Sequence, residues 1–290
     1  MRINTNTAAM NTYTKYSAAA NAKANALEKL SSGSRINTAA DDAAGLAISN
    51  KMTAQISGMK QARANAQDGI SLIQTAEGAL EETNKMLNRM RDLTLQAANG
   101  TLQGEDRKEI ALEMNTLISN IKAISDNTKF NGMNLFTGNA ITFQVGANTG
   151  ETASVTISKM DPDGLGFKDS VQANIEGLVS PSANVDEAGK TAFVTKFETN
   201  LNALDTAIKK VSDQRAQLGA AQNGLTHTVN SLEATTTNLA AANSRIKDVD
   251  MAQEMTSYTS SNILLQAATS MLSQANSMPQ SVMTLLQNIG

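Results

Sequence analysis

The sequence predicts a mainly α-helical protein, in which long antiparallel coiled-coil helices from the N- and C-terminal regions form a rod, with a short central β-hairpin region. Three observations predict this fold class. Apolar residues recur every seven positions in the second half of the chain, one short central stretch alternates apolar and polar residues, and the 290 residues include only 3 prolines and 3% aromatic residues. So few large side chains favour long helices packed over small residues.

The strongest pattern is the run of apolar residues at intervals of seven. It starts at Phe197 and predicts a rod heptad seam formed by Leu204, Val211, Leu218, Leu225, Leu232, Leu239 and Ile246. The positions between them are apolar at Leu201 and Ile208 and become polar further on. One continuous helix of this extent would measure roughly 80 Å and pack on partners as a coiled coil. Two shorter helices broken near Gly219 or Gly224 are the alternative.

Two upstream helices are the predicted partners of this long helix. Apolar residues spaced three and four apart run through residues 66–93 and again through residues 110–124. The stretch "AANGTLQGED" at 97–106 separates them, with Gly100 and Gly104 as the turn residues. Two helices before the middle of the chain and one after it can form an antiparallel bundle.

The middle of the chain has a different pattern. The stretch "ITFQVGANTGETASVTIS" alternates apolar and polar residues on both sides of a glycine- and asparagine-rich turn, which predicts a β-hairpin. From Met160 to about Glu187 the chain carries two of its three prolines and no sustained period. We expect that stretch to be short and mostly irregular.

The C-terminal region carries an apolar stripe and has no charged residue after Glu254. The larger members of this terminal coiled-coil seam are Leu264, Met271, Met278, Val282, Leu285 and Ile289, with Ala268 and Ala275 between them. A weaker stripe near the N-terminus consists of Ile3, Met10, Tyr13, Ala20, Ala24 and Leu27. Burying six such side chains returns roughly 1.5–3 kcal/mol each, whereas ordering the backbone costs about 1–2 kcal/mol per residue. We therefore expect both ends to order only when several copies of the chain surround one another.

These patterns divide the chain into three parts. Residues 1–40 with 250–290 are predicted to form the terminal coiled coil, residues 41–130 with 188–249 the helical rod, and residues 131–187 the β-hairpin and a short variable segment. The first residues lack the apolar core of a cleavable signal peptide, and no apolar run reaches the length of a membrane span.

No pattern of catalytic chemistry is present in the sequence. A net charge of −3 argues against nucleic acid as a partner, and the absence of cysteine excludes disulfides and thiol chemistry. The single histidine, His227, has no neighbours at metal-ligand spacing. Asp41 and Asp42 suit a loop or helix start, because adjacent residues on a helix do not face each other. We expect no enzymatic activity, no cofactor and no metal.

Several stretches taken together resemble the bacterial flagellins, the subunits of the flagellar filament. They are "LEKLSSGSRINTAADDAAGLAISNKM" and "AQDGISLIQTAEGALEE" in the first part of the chain, "TKFNGMNLF" in the middle, and "NLAAANSRIKDVDMAQEM" and "QAATSMLSQANSMPQSVMTLL" in the last part. In that family the terminal coiled coil lines the inner tube of the filament, and a helical rod with a β-hairpin surrounds it.

The resemblance implies a function and a set of partners. The chain would be secreted unfolded by the flagellar type III route and would polymerise with itself into the extracellular filament used for swimming. Its other implied partners are the hook-associated junction and cap proteins and a flagellar export chaperone that masks the C-terminal segment. Neither nucleic acid nor a membrane is implied as a partner.

The resemblance also implies a contact with the innate immune receptor Toll-like receptor 5. The stretch "NRMRDLTLQ" at 88–96 matches the family's receptor patch, with Arg89 and Leu93 on its main contact positions and Glu113 on the following helix. The alternative is that Arg89 and Leu93 only pack the rod between subunits.

Three rival interpretations remain at the level of sequence. A hook–filament junction protein shares the terminal helices, but its middle is normally larger. A secreted pore-former would insert an amphipathic tail into a membrane, yet such helices usually carry Lys or Arg on the polar face, and residues 255–290 carry none. The absence of a catalytic pattern makes an enzyme the weakest alternative.

Overall fold

The structure, a computed structural model, describes residues 5–99, 101–168 and 187–287, with the backbone alone for residues 187–193 and 279–287. Its helices are α1 (Thr7–Ser32), α2 (Ala43–Ala97), α3 (Gly104–Asn127), α4 (Pro162–Leu165), α5 (Glu187–Lys247) and α6 (Met251–Gln287). Its strands are β1 (Lys129–Phe130), β2 (Met133–Asn134), β3 (Ala140–Gln144) and β4 (Thr152–Thr156). The predicted mainly α-helical fold with a short β region is confirmed.

The chain forms two compact units. The terminal unit comprises Met1–Ile56 with Thr237–Gly290, and the central unit comprises Ser57–Thr236. Helices α2 and α5 contribute residues to both. The three-part division drawn from the sequence stays a prediction.

The central unit is built on α2, α3 and α5, and each of these helices buries a line of residues along its length. In α2 the buried line runs through Ala66, Ile73, Ala76, Leu80, Leu87 and Met90, and in α5 it runs through Leu204, Val211, Leu218 and Leu225. These residues form one hydrophobic cluster with α3. Helix α5 continues without interruption past Gly219 and Gly224, so the two-helix alternative is wrong.

The second buried line of α5 differs from the expected one. The sequence predicted that Leu201 and Ile208 form this line, but both are only half-buried. The residues buried between the heptad positions are instead Asn200, Ala207 and Gln214. The observed line lies three residues after each heptad position, where the side chains are small or polar. The last three heptad positions are each half-buried; they are Leu232, Leu239 and Ile246.

The predicted β-hairpin is confirmed. Strands β3 and β4 pair antiparallel from Ala140 opposite Thr156 to Gln144 opposite Thr152. The hairpin packs along α2, where Asn65 Nδ2 donates to Gln144 O at 3.0 Å. Glycine allows the close approach: a Cβ placed on Gly58 would lie 3.0 Å from Ala147 Cβ.

Two shorter features of the central unit were not predicted. Strands β1 and β2 form a second small hairpin, whose turn residues Asn131 and Gly132 have φ angles of 49° and 80°. Within the stretch expected to be irregular, Asp161 caps α4, because its Oδ1 accepts from Gly164 N at 2.8 Å. Residues 169–186, which include most of the expected variable segment, lie outside the described residues.

Candidate interaction surfaces

Helices α1 and α6 of the terminal unit pack against each other. Near the start of α1, Asn6 Nδ2 donates to Ala275 O at 2.7 Å. Further along, Lys23 Nζ donates to Asn262 Oδ1 at 2.9 Å and lies 5.7 Å from the centre of the Tyr258 ring. The partner number on α6 falls as the residue number on α1 rises, so the two helices are antiparallel, as the sequence predicted.

The buried contact between these helices consists of alanines. They are Ala19 and Ala26 on α1 and Ala268 and Ala275 on α6, each pair seven residues apart. In the described part of the terminal unit, Ile36 is the one other buried apolar residue. The large hydrophobic cluster, by contrast, lies entirely within the central unit. The described part of the terminal unit therefore has almost no core of its own.

The large apolar side chains of the terminal unit are exposed instead. Between 49% and 63% of the surface of each is accessible in Met10, Tyr13, Leu27, Ile48, Met251, Met255, Ile263, Leu264, Met271 and Met278. Large apolar side chains are among those most often fully buried in folded proteins, so exposure of so many in one unit is unusual. An exposed apolar surface of this kind marks an interaction site.

The predicted terminal seam lies partly on that exposed surface. Leu264, Met271 and Met278 are exposed in the single chain, and the alanines between them make the contact with α1. The side chains of Val282 and Leu285, and the whole of Ile289, lie outside the described residues. Because α1 and α6 approach each other through alanines, the larger side chains lie outside the contact between the two helices. Their burial in a seam with other copies stays a prediction.

A groove of about 910 Å³ runs between α1 and α6. Its lining includes Lys15, Ala18 and Ala22 from α1, and Leu264 and Met271 from α6. Because α6 has no charged residue after Glu254, Lys15 supplies the charge that borders this groove. The surface is suited to another apolar helix with polar, uncharged flanks.

The loop between α1 and α2 is hydrogen-bonded to the junction of α5 and α6. Arg35 N donates to Lys247 O at 2.6 Å, and Arg35 Nη2 donates to Ile246 O at 2.7 Å. Val249 N donates to Gly33 O at 3.1 Å. No local sequence pattern predicted these contacts, since the partners lie more than 200 residues apart.

Asp41 and Asp42 have the loop and helix-start roles favoured by the sequence. Asp42 Oδ1 accepts from Gly45 N at 2.9 Å and so caps α2. Asp41 Oδ2 accepts from Thr38 N at 2.9 Å and from Asn37 N at 3.1 Å. These backbone hydrogen bonds lower the pKa of Asp41.

The predicted receptor patch is only partly accessible. Arg89 Nε donates to Glu113 Oε1 at 2.8 Å across α2 and α3, and this hydrogen bond raises the pKa of Arg89. Leu93, however, is only 1% exposed and belongs to the core of the central unit. Its position, three residues after Met90, keeps it on the buried side of α2. A partner that approached this face would reach Arg89 and Glu113, whose side chains are both accessible. Leu112, the residue before Glu113 in α3, is 64% exposed.

The described residues offer no alternative centre of chemistry. Across 5–99, 101–168 and 187–287, no group of three or more His, Cys, Asp or Glu is arranged to hold a metal ion. His227 is exposed on α5. None of the helices, as far as the described residues go, combines the length and apolarity of a membrane span.

Comparison with known families identifies the family of the chain. Residues 3–140 match the family model of the bacterial flagellin N-terminal helical region, and residues 201–286 match that of the C-terminal helical region. The chain belongs to the bacterial flagellin family. Flagellins are structural filament proteins and not enzymes, and they assemble into the extracellular flagellar filament.

Similar flagellins span nearly the whole chain. The flagellin of Bacillus subtilis (strain 168) is 46% identical and covers 99% of this chain and 100% of its own length. The flagellin of Halalkalibacterium halodurans is 44% identical over 99% of this chain and 100% of its own length. Flagellin FlaB2 of Treponema pallidum is 43% identical, and the match covers 90% of this chain and 91% of its own length.

Among solved structures, a putative flagellar hook-associated protein from Vibrio parahaemolyticus has the same fold. Its TM-score is 0.62 at 18% identity, and the match covers 72% of this chain and 100% of that one. At this identity the likeness concerns the fold alone, and the much higher identity to flagellins over the full length decides between the filament and junction families.

Proposed function

We propose that this flagellin polymerises through its terminal unit, with the exposed apolar side chains of α1 and α6 buried by the same helices of neighbouring copies. The observation that carries the proposal is the contrast between the two units. The central unit contains the large core, whereas the described terminal unit buries four alanines and Ile36. Neighbouring copies would supply the core that the terminal unit lacks, and the resulting filament would serve swimming motility.

Seeded elongation of purified chain tests this proposal. Full-length protein should extend short filament seeds into long tubes visible by electron microscopy, and protein lacking residues 1–30 and 261–290 should not. Circular dichroism should show that the central unit of the truncated protein is still helical. Elongation of the truncated protein at the full-length rate would contradict the proposal, and lysis of lipid vesicles without tubes would favour a pore-former.

A point substitution gives a finer test with a matched control. Met271→Glu places a charge on the uncharged exposed face of α6, and its burial between copies would be costly. Met133→Glu makes the same change at a similarly exposed methionine of the central unit. We expect Met271→Glu to abolish elongation and Met133→Glu to leave it within a few-fold of the unsubstituted rate.

We infer that an export chaperone covers the same α6 face before secretion. An amphipathic helix with large apolar residues on one face is suited to a hydrophobic groove. Export by the type III route requires that the chain stay unassembled inside the cell. An exposed α6 face would promote premature assembly, so a partner has to cover it. Co-purification of a cellular partner with the full chain, lost when residues 251–290 are removed and retained for Met133→Glu, would support this inference. Retention by the deleted chain would contradict it.

A second candidate function is recognition by Toll-like receptor 5 at the Arg89–Glu113 pair. The exposed Arg89–Glu113 ion pair supports it, because arginine is enriched at protein interfaces. Arg89→Ala and Glu113→Ala should weaken activation of receptor-bearing reporter cells. Lys122→Ala, which removes a comparable exposed ion pair on α3, should not. Equal responses from all three variants would exclude this patch.

The junction and cap proteins of the filament are also proposed partners. They would contact the first and last copies of the chain through the same terminal helices, since every copy presents the same surface. The Met271→Glu variant should therefore lose binding to both as well as self-assembly.

A further inference from the structure

Methionine is the only sulfur-containing residue of this chain, which has 14 methionines and no cysteine. Among the described side chains, the exposed methionines are Met10, Met133, Met251, Met255, Met271 and Met278. All except Met133 belong to the terminal unit. The deeply buried ones, Met90, Met114 and Met160, all belong to the central unit. Among the described residues, exposed methionines are thus concentrated in the unit whose described part has almost no core.

The exposed methionines of α6 share the stripe proposed for contacts between copies. Met271 follows Leu264 by seven residues, and Met278 follows Met271 by seven, so the three lie on one side of the helix. Met271 also lines the groove beside α1 together with Leu264. Met271 is 61% exposed and Met278 is 53% exposed in the single chain, so solvent and small oxidants reach both residues.

We propose that Met271 and Met278 are oxidation sites that block assembly when the free chain meets a peroxide. In this reaction the thioether sulfur attacks one peroxide oxygen, the O–O bond breaks, and a sulfoxide and water are formed. The sulfur loses two electrons and the peroxide gains them. An apolar, flexible side chain becomes polar and chiral. The proposal rests on the proposed function, because it requires that this stripe be buried between copies.

The chemistry explains why the sulfoxide would matter on this stripe. The sulfoxide oxygen is a strong hydrogen-bond acceptor, and its burial without a donor is unfavourable. Leu264 and the alanines of the stripe carry no side-chain donor, whereas Lys15 and Ser261 are among the polar residues that border the groove beside it. A sulfoxide buried against the apolar members of the stripe would have no donor. Once the copies have assembled, the same sulfur atoms would be shielded. Oxidation should therefore act on unassembled chain and spare the filament.

The central unit supplies an internal control. Its core methionines are at most 4% exposed, so a peroxide dose that modifies the terminal stripe should leave this core intact. Loss of assembly after such a dose would then reflect the terminal face rather than unfolding. Unchanged circular dichroism of the treated chain would document this.

The test uses the full-length chain treated with graded hydrogen peroxide, peptide mass spectrometry, and seeded elongation. Treated wild-type protein and treated Met133→Leu should elongate about tenfold more slowly than untreated protein, because each added copy would bury sulfoxides. The double variant Met271→Leu/Met278→Leu conserves volume at both positions and should keep at least half of its untreated rate. Methionine sulfoxide reductases A and B should restore the wild-type rate.

Several outcomes would overturn the proposal, and they differ from failure of the proposed function. Elongation at the normal rate by chain that is oxidised at both positions would contradict it, as would a double variant that is as sensitive as wild type. Equal oxidation of Met271 in preformed filaments and in free chain would contradict the shielding. Failure of untreated full-length chain to elongate seeds would instead overturn the proposed function.

Discussion

Arg91 and Asp205 face each other across helices α2 and α5 of the central unit, with Arg91 Nε 2.7 Å from Asp205 Oδ1. Two further pairs join the same helices: Arg63 with Glu233 at 3.9 Å and Glu77 with Arg215 at 3.6 Å. The sign of the charge on α2 alternates from one pair to the next. A shift of α5 along α2 would therefore bring like charges together, so the three pairs favour one register.

A double-mutant cycle on Arg91 and Asp205 should measure a small coupling. Both side chains are more than a third exposed, so solvent screens the pair and we expect about 0.2–1 kcal/mol. The coupling should shrink as salt is added. Urea unfolding of the two single variants and the double variant measures it. The longer Arg63–Glu233 pair is the matched control and should couple less; a larger coupling there would contradict the geometric interpretation.

Replacement of Gly45 by alanine should destabilise the start of α2. An added Cβ would overlap Asp42, the cap of the helix, and would lie 2.7 Å from Ile36 Cδ1, which is buried. We expect a loss of about 1–3 kcal/mol, visible as faster proteolysis of the loop at residues 33–42.

The matched control is Gly78→Ala in the same helix. A Cβ there meets nothing within 4 Å, and alanine is the better helix former, so we expect a gain of about 0.5–1 kcal/mol in urea unfolding. If the two variants changed stability alike, crowding at Gly45 would not be the cause.

Protonation of Asp41 should loosen the same loop at acid pH. Backbone hydrogen bonds from Thr38 and Asn37 hold its pKa below the ordinary value, which is about 3.9 in unfolded chains. The stabilisation is therefore present above that value and is lost as the pH falls through the lowered folded pKa. An NMR titration of the Thr38 amide should follow this transition. In Asp41→Asn the transition should vanish, and its persistence would assign it to another group.

Leu87→Ala should strongly destabilise the central unit. Leu87 is fully buried in the hydrophobic cluster, so we expect a cost of about 2–5 kcal/mol in urea unfolding. Leu112→Ala removes the same side chain at an exposed position of α3 and should change stability by less than about 0.5 kcal/mol. Similar costs for both variants would be inconsistent with the assignment of the core.

Local patterns predicted the central unit well. The glycines after Ala97 separated α2 from α3, the heptads from Leu204 onward predicted a single α5, and alternation predicted the hairpin. The β1–β2 hairpin was missed because its strands have two residues each, too short for a periodic signal. Its Asn131–Gly132 turn pair was the available clue.

The terminal unit was harder to predict, for a physical reason. The sequence shows which residues of a helix are apolar, but not whether the chain itself or its neighbours bury them. Leu264, Ala268, Met271 and Ala275 were predicted to share one seam; the contact within the chain uses the two alanines and leaves Leu264 and Met271 exposed, and burial of these two by other copies stays a prediction. Alanines seven residues apart, such as Ala19 and Ala26, were the available signal for two closely packed helices. Leu93 was assigned to the receptor patch by the family resemblance, whereas its helical spacing matched the apolar line of α2, where the structure buries it.

Hydrogen exchange of the free chain and of the filament tests most directly whether neighbouring copies supply the missing core. In dilute free chain we expect amides of 7–32 and 251–278 to exchange much faster than those of α2 and α5 in the central unit. In the filament those terminal amides should become as protected as the central ones. Strong protection of both terminal helices in the dilute free chain would contradict the central claim.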